Sequence, residues 1–323
     1  MRSAFKLAAL ALALGTTATL AEELKFANFM PPTHPYVAGA FDPFAKAVDE
    51  ATKGEVTVKL YNGGELGAGP VEQYSRVVDG VAELAVSLPG YTASQFPLTL
   101  TAELPGMLDE ATGTETLWKH LGDFDHDYRR VQLVALWSSA ENLLFTRDKP
   151  VRNLADVKGL KVRVPSRNTG LLVEAWGGTP VSMPVSEIYN AMQTGVIDAA
   201  MIDGTAVSAF KLSEVANYIT KGMQTTNSPF FIIMNRDAFD ALSPAQQEAV
   251  KAAGKQASLD GQKVQLTVAE KGLAAFAKTP GKEVITLDAA AVAEFDAAAA
   301  KVTETVLAGT DGAQAVADAL KVR

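Results

Sequence analysis

Short apolar segments alternate along this chain with longer segments of helical periodicity, and this alternation constrains the fold more than any other feature. Val131–Trp137 and Leu160–Val164 are apolar, rich in β-branched residues and of strand length. A long helix is predicted from Ser243, which is its N-cap, with Pro244 at the first helical position and Gln246 completing a capping box. Strands that alternate with helices predict an α/β protein.

The remaining secondary structure follows the same alternation. Further strands are predicted at Leu24–Phe29, Val56–Leu60, Leu84–Leu88, Val196–Ile202 and Phe230–Met234. Further helices are predicted up to about Thr52 and Val78, and at Leu171–Trp176, Ser186–Gln193 and Ala289–Ala300. A chain of 323 residues is long for a single core, and it contains no low-complexity linker. Two lobes would therefore be joined by continuous strands or helices, and such joints act as hinges.

The N-terminal residues have the order of a secretory signal peptide. Arg2 and Lys6 are positive, Leu7–Leu14 is an apolar run, and small residues lead to a predicted cleavage site after Ala21. The apolar run is much shorter than the ~20 residues that span a bilayer. We therefore expect this segment to direct export and to be removed.

Composition limits the partners and the chemistry of the chain. Cysteine is absent, which excludes disulfides, thiol chemistry and cysteine-ligated metal centres. The net charge of −8, which loss of Arg2 and Lys6 makes more negative, disfavours binding to nucleic acid and anionic lipid. An anionic ligand would gain nothing from this overall field, so a local positive group must hold it.

The sequence lacks the motifs of common catalytic centres. It has three histidines, no Gly-x-Ser-x-Gly elbow and no His-Glu-x-x-His helix. The aspartates within Asp123–Asp127 have the spacing of a calcium loop, but Tyr128 and Val134 replace its glycine and final carboxylate, which favours a solvated surface segment. Gly63–Gly69 lacks the Gly-Lys-Ser/Thr ending of a phosphate loop and is interpreted as a tight connection. We expect no catalytic residue, metal or cofactor.

Arg163 is the most informative single residue, because it lies between Val162 and Val164 on an apolar strand that ends at Pro165. Arginine is rarely buried without a partner, so this side chain either pairs with a carboxylate of the protein or faces a cleft. A guanidinium can hold a carboxylate through two parallel hydrogen bonds. The residues alone leave a structural salt bridge and a ligand clamp equally open.

Several segments in order resemble the solute-binding subunits of tripartite ATP-independent periplasmic (TRAP) transporters. The strongest are GLKVRVP at 159–165, GTPVSMP at 178–184 and SEIYNAMQTG at 186–195. Weaker similarity occurs in LYNGGELG at 60–67 and in MNR…LSP at 234–244. The resemblance extends over essentially the whole chain that follows the predicted signal peptide.

This resemblance implies a two-lobed periplasmic solute-binding fold with hinge strands and a long helix that spans both lobes. One lobe would comprise 22–140 and 228–267, and the other 141–227 and 268–323. The implied function is capture of a small organic carboxylate in the periplasm and its delivery to the membrane permease subunits of a TRAP transporter. A periplasmic ligand sensor for a signalling partner and a periplasmic enzyme are the alternatives.

The resemblance also implies the ligand-binding residues. The arginine that clamps the ligand carboxylate in the family falls on Arg163, and a cleft-facing position falls on Tyr91, which could donate a hydrogen bond. Asp203 could accept a hydroxyl proton or pair with a cation. The expected apolar contacts are Phe29, Met30, Leu88, Trp137, Val185 and Ile202.

These apolar residues predict the kind of ligand. Polar or aromatic cleft positions of the sialic-acid-binding members fall on Phe29, Leu88, Leu143, Val185 and Ile202. A sugar acid would leave hydroxyls unpaired there, each costing about 1–3 kcal/mol. We therefore expect a compact monoacid with an apolar, aromatic or branched body. Phe230 and Phe231 are expected in the core, and His34 is expected to order the proline-rich loop.

Overall fold

A computed structural model describes residues 21–321, which fold into two mixed β-sheets surrounded by helices. In chain order the strands are β1 (Glu22–Ala27), β2 (Val56–Tyr61), β3 (Leu84–Ser87), β4 (Val131–Trp137), β5 (Leu143–Thr146), β6 (Lys161–Val164), β7 (Thr179–Ser182), β8 (Ala199–Ile202), β9 (Tyr218–Lys221), β10 (Phe230–Asn235) and β11 (Glu283–Thr286). The α-helices are α1 (Asp42–Ala51), α2 (Gln73–Val78), α3 (Gly113–Lys119), α4 (Arg167–Ala175), α5 (Ile188–Thr194), α6 (Ala206–Ala209), α7 (Arg236–Ala241), α8 (Pro244–Lys278), α9 (Ala289–Gly309) and α10 (Ala313–Lys321). Residues 1–20 of the predicted signal peptide lie outside this description.

Each sheet is the centre of one lobe. The first lobe contains the sheet with strand order β2-β1-β3-β10-β4, in which β1 is parallel to β2 and β3, and β10 is antiparallel to both of its neighbours. The second lobe contains the sheet with order β11-β9-β5-β8-β6-β7, in which β5 is antiparallel to both of its neighbours. The predicted two-lobed α/β class is confirmed.

The chain crosses between the sheets from β4 to β5 and from β9 to β10. The two crossings run side by side, because Glu141 and Asn227 form an isolated antiparallel bridge. Asn142 Nδ2 donates to Thr226 Oγ1 at 3.0 Å and to Ser228 Oγ at 3.1 Å. These paired crossings join the lobes without a flexible linker, and their action as hinges stays a prediction.

Helix α8 is the long helix that spans both lobes. Its capping box forms as predicted: Ser243 Oγ accepts from the backbone N–H of Gln246, and the Gln246 side chain accepts from that of Ser243. Glycines allow it to approach both lobes closely. A Cβ at Gly254 would lie 2.0 Å from the carbonyl oxygen of Val134 in β4, and one at Gly272 would lie 2.5 Å from that of Gly204, just after β8.

Helix α10 departs from the predicted lobe boundaries. It packs against the helical turn Thr99–Glu103 of the first lobe, and its Val316 and Leu320 share a core with Tyr74 and Val77. The assignment of all of 268–323 to the second lobe therefore does not describe α10, whose apolar face is buried on the other lobe. The remaining boundaries stay a prediction.

The aspartate-rich segment is a solvated surface at Asp123 and Asp125, which are exposed as expected, but not at Asp127. Asp127 is buried, and its Oδ2 accepts hydrogen bonds from the backbone N–H and the hydroxyl of Thr99 at 2.7 and 2.8 Å. Its carboxylate therefore fastens the turn that begins at Thr99. Spacing alone does not reveal this role, because the partner lies far away in the sequence.

Candidate ligand-binding site

A cavity lies between the two lobes, at the ends of β1, β3, β6 and β8. Crevices beyond the carboxyl ends of parallel strands are common ligand sites in α/β proteins. The lining residues are Phe29, Met30, His34, Tyr36, Leu88, Tyr91, Asn142, Arg163, Pro165, Val185, Ile202, Asp203, Thr205, Phe210, Ser228, Phe230 and Gln265.

The structure brings most of the predicted site residues together in this cavity. Those that line it are Arg163, Tyr91, Phe29, Met30, Leu88, Val185, Ile202 and Asp203. Trp137 is fully buried behind the wall: its indole stacks on Phe230 at 5.4 Å between ring centroids, and its Nε1 donates to Tyr36 Oη at 3.1 Å. Its place in the structure is therefore that of a support for two lining aromatic rings, one layer away from the cavity.

Arg163 is held in place by the two strands beside its own. Its Nε donates to the carbonyl oxygen of Met183, which follows β7, at 3.0 Å. Its Nη1 donates to that of Met201 in β8 at 3.1 Å, and its Nη2 donates to Tyr91 Oη at 3.0 Å. The side chain is only 1% exposed, yet no carboxylate within residues 21–321 forms a salt bridge with it.

The hydrogen-bonding capacity of this arginine is only partly used. A guanidinium has five N–H groups, and the three bonds leave one hydrogen on each terminal nitrogen without a partner in the described structure. Desolvation by burial lowers the pKa of Arg163, while Tyr91 and Asp203 oppose this effect. A buried guanidinium whose direct hydrogen-bond acceptors are all neutral has the chemistry to hold an anion.

Tyr91 supplies a second donor beside the guanidinium. Its hydroxyl oxygen accepts hydrogen bonds from Arg163 Nη2 and, at 3.3 Å, from the backbone N–H of Val185. With its oxygen accepting twice, the hydroxyl hydrogen is left to donate. A carboxylate on the two free N–H groups of Arg163 could therefore also accept from Tyr91.

An aromatic wall faces this polar corner. Tyr36 contacts His34, Trp137 and Phe230 with ring centroids 5.0, 5.5 and 5.5 Å apart, and His34 contacts Phe210 at 5.6 Å. Phe230 and Phe231 both lie in the hydrophobic core as expected, and Phe230 in addition lines the cavity. Rings that are packed on one another in this way present a rigid apolar surface to a ligand.

His34 is part of this wall. Burial lowers its pKa to about 4, so the imidazole is neutral at neutral pH. Its Nδ1 accepts from the backbone N–H of Tyr36 at 3.3 Å, and its own backbone N–H donates to the carbonyl oxygen of Pro31 at 2.8 Å. These bonds agree with its predicted role in ordering the proline-rich loop.

A second polar group of the cavity contains Asp203, Thr205 and Gln265. Asp203 Oδ1 accepts from the backbone N–H of Thr205 at 2.9 Å, and its Oδ2 accepts from Gln265 Nε2 at 3.0 Å. Burial raises the pKa of Asp203, and the bonds from Thr205 and Gln265 only partly offset this. Gln265 comes from α8, and its position has no signal in the sequence because the helix carries polar residues on every side.

Glu103 is a second buried carboxyl between the lobes, outside the cavity. Burial raises its pKa to about 8, and hydrogen bonds from Ser166 and Asn168 at the start of α4 oppose this shift. The folded protein therefore keeps a proton that the unfolded chain releases near its ordinary pKa of 4.5. Because the native state binds more protons in this interval, the free energy of unfolding falls as the pH rises from about 4.5 to 8.

Glu103→Gln is expected to reduce this pH dependence. At pH 8 the variant should be more stable than the wild type by an amount on the order of 4 kcal/mol, because it contains no carboxyl to ionise. Thermal unfolding between pH 5 and 8 measures the slope, and Glu115→Gln, a change at an exposed position, is the control. A Glu103→Gln variant that kept the wild-type slope would show that this carboxyl is not the cause.

Two lobes around a cavity, with a buried arginine in its wall, are the arrangement of a solute-binding protein. Within residues 21–321, no helix combines the length and the apolar character needed to cross a bilayer. Residues 26–309 match the family described as bacterial extracellular solute-binding protein, family 7 (DctP).

Two curated relatives show the same similarity over much of the chain. A solute-binding protein of Albidiferax ferrireducens is 30% identical over 220 residues, covering 65% of this chain and 64% of that protein, a little under two thirds of its length. The 2,3-diketo-L-gulonate-binding periplasmic protein YiaO of Escherichia coli K12 is 27% identical, covering 85% of this chain and 84% of that protein.

Solved structures share the fold. A TRAP solute-binding protein from a marine metagenome, specific for aromatic acid ligands and in complex with metahydroxyphenylacetate, has a TM-score of 0.83 and 26% identity, covering 93% of this chain and 97% of that one. One from Rhodoferax ferrireducens T118, in complex with copurified benzoate, has a TM-score of 0.79 and 26% identity, covering 92% and 96%. The chain therefore belongs to family 7 of the bacterial extracellular solute-binding proteins, as a TRAP solute-binding protein. The family and these neighbours are binding proteins rather than enzymes.

Proposed function

We propose that this protein captures a compact monocarboxylic acid with an apolar body in the periplasm and delivers it to the membrane permease of a TRAP transporter. The ligand carboxylate lies on the free N–H groups of Arg163 and accepts a third bond from Tyr91. One observation carries the proposal: a guanidinium that is 1% exposed, lines the cavity and has only neutral hydrogen-bond acceptors. Burial of such a charge is costly until an anion joins it.

The composition of the wall supports an apolar body over a sugar. Apolar side chains form much of the cavity wall, namely those of Phe29, Leu88, Val185, Ile202 and Phe230. Each sugar hydroxyl against these side chains would lose its hydrogen bonds to water and gain none, at about 1–3 kcal/mol. The two solved neighbours hold aromatic acids, whereas YiaO is named for an oxidised sugar acid, so the family alone does not decide between the two classes.

Capture requires no chemical step. The ligand bridges the two lobes, and it shifts the equilibrium between open and closed forms only by its preference for the closed form. Arg163, Val185 and Ile202 come from the second lobe, whereas Phe29, Leu88 and Tyr91 come from the first. A ligand that contacts both sets stabilises the closed arrangement.

A thermal-shift panel tests the ligand class. We expect phenylacetate and benzoate to raise the midpoint of unfolding, and glucuronate and N-acetylneuraminate to leave it unchanged at the same concentration. At ~100 times its dissociation constant, a ligand adds about 2.7 kcal/mol to the free energy of unfolding. Stronger stabilisation by the two sugar acids would contradict the apolar assignment.

A further inference from the structure

The second polar group of the cavity is arranged to receive a hydrogen-bond donor. Asp203 is 5% exposed, and no Lys, Arg or His of the described chain forms a salt bridge with it. Its two oxygens accept one bond each, from Thr205 and Gln265. A carboxylate has about four acceptor positions, so capacity remains on both oxygens.

Gln265 contributes an acceptor that is wholly unused. Its side chain lines the cavity, is 2% exposed, and its Oε1 is buried with no hydrogen-bond partner within residues 21–321. The orientation of the amide is set by Asp203, because a flipped amide would point its oxygen at the carboxylate. Buried acceptors without a partner are rare and unfavourable, so a donor is expected to join this one.

We propose that the ligand carries a hydroxyl group whose single hydrogen is shared by Gln265 Oε1 and the neighbouring Asp203 carboxylate in a three-centre hydrogen bond, so that the substrate class is a hydroxylated monocarboxylic acid. This inference rests on the proposed function, in which Arg163 holds the carboxylate. The two polar groups then satisfy two separate parts of one ligand, and the aromatic wall contacts the carbon between them.

A hydroxyl fits this place better than an ammonium group. An ammonium has three donors and a full charge to desolvate, and Phe29, Tyr36, Phe210 and Phe230 form much of the surrounding wall. A hydroxyl has one hydrogen for these neighbouring acceptors to share, and it carries no charge. Its own oxygen can in turn accept from Tyr36, whose hydroxyl accepts from Trp137 and keeps its hydrogen free.

Calorimetric titration with phenylacetate and its derivatives tests the inference. Mandelate, 3-hydroxyphenylacetate and 4-hydroxyphenylacetate each add one hydroxyl to the phenylacetate frame at a different place. We expect at least one of them to bind about tenfold more tightly than phenylacetate or better, as a hydrogen bond to a charged group allows. The methoxy analogue of that compound, which cannot donate, should lose the gain.

Variants test whether the tighter binding of the hydroxylated acid depends on Asp203 and Gln265. Gln265→Leu should reduce the ratio of the dissociation constants of phenylacetate and the hydroxylated acid from about tenfold to about threefold or less. Gln262→Leu is the matched control, because Gln262 is buried on the same helix but does not line the cavity, and it should keep the wild-type ratio.

The outcomes separate this inference from the proposed function. One outcome is that the hydroxylated acids bind no more tightly than phenylacetate, with all binding lost in Arg163→Ala. That result would contradict the inferred hydroxyl group and would leave the proposed carboxylate clamp in place. If phenylglycine bound more tightly than mandelate, the inferred hydroxyl would be wrong, and the donor that the ligand brings to Asp203 would be an ammonium group. If none of the acids bound the wild type, the proposed function would fail and the inference with it.

Discussion

Arg163→Ala is expected to abolish the thermal stabilisation that phenylacetate gives to the wild-type protein. The variant removes both free N–H groups of the clamp and leaves the ligand carboxylate in a cavity with a single hydroxyl donor, Tyr91, beside it. Truncating one partner of a buried charge pair costs about 2–5 kcal/mol, which weakens binding roughly thirty- to several-thousand-fold. Calorimetric titration measures this loss directly.

Two further variants separate binding from folding. Arg163→Lys keeps the charge but lacks the planar fork, so binding should be weakened as well. Arg152→Ala removes an exposed arginine that pairs with Glu283 at 2.8 Å, and it should bind like the wild type. Far-ultraviolet circular dichroism of each variant checks the fold. A folded Arg163→Ala protein with wild-type affinity would contradict the clamp.

Gly90→Ala is expected to weaken ligand binding by hindering closure of the lobes. Gly90 follows β3 in the first lobe, and a Cβ there would lie 2.8 Å from Ser166 Cβ and 3.3 Å from the carbonyl oxygen of Pro165, just after β6 in the second. Real Cβ atoms do not approach so closely, so the two lobes must shift apart. Gly90 does not have a positive φ, so alanine adds no backbone strain of its own.

The size of this effect follows from overpacking. Forcing a methyl group into a closed contact typically costs about 1–3 kcal/mol, or roughly five- to 150-fold in affinity. Any shift at Gly90 also moves the adjacent Tyr91 away from Arg163. Because the clash exists only when the lobes meet, the unliganded protein should keep its thermal stability.

Small-angle scattering with and without phenylacetate measures closure in this variant. The wild type should become more compact on binding, and Gly90→Ala should change less at the same concentration. Gly122→Ala is the matched control, because a Cβ at Gly122 would meet nothing within 4 Å. Wild-type affinity and compaction in Gly90→Ala would show that this contact does not limit closure.

The elements with strong local signals could be predicted from the sequence. Strand β4 has the predicted bounds. Helix α8 begins at the predicted capping box, because the hydrogen bonds of the box join residues that are close in the sequence. Strand β7 could not be predicted, since it is four residues long and contains Pro180. It lies at the edge of its sheet, where the missing N–H of proline costs no strand pairing.

The candidate site was predictable only in part, and for physical reasons. Arg163 is visible in the sequence because a charge on an apolar strand conflicts with its surroundings. The site residues that follow β1, β3 and β8 were inferred from the family resemblance, because residues that are far apart in the sequence come together at the strand ends only in the folded protein. Gln265 and Ser228 approach the cavity through tertiary packing of α8 and of a crossing segment, and no local pattern marks them.

The position of the carboxylate in a crystal structure tests the central claim most directly. The wild-type protein would be crystallised with whichever of the phenylacetate derivatives binds most tightly. We expect the two carboxylate oxygens at about 2.7–2.9 Å from Nη1 and Nη2 of Arg163, with Tyr91 donating to one of them. A carboxylate bound elsewhere, with Arg163 turned onto Asp203 in a salt bridge, would contradict the account.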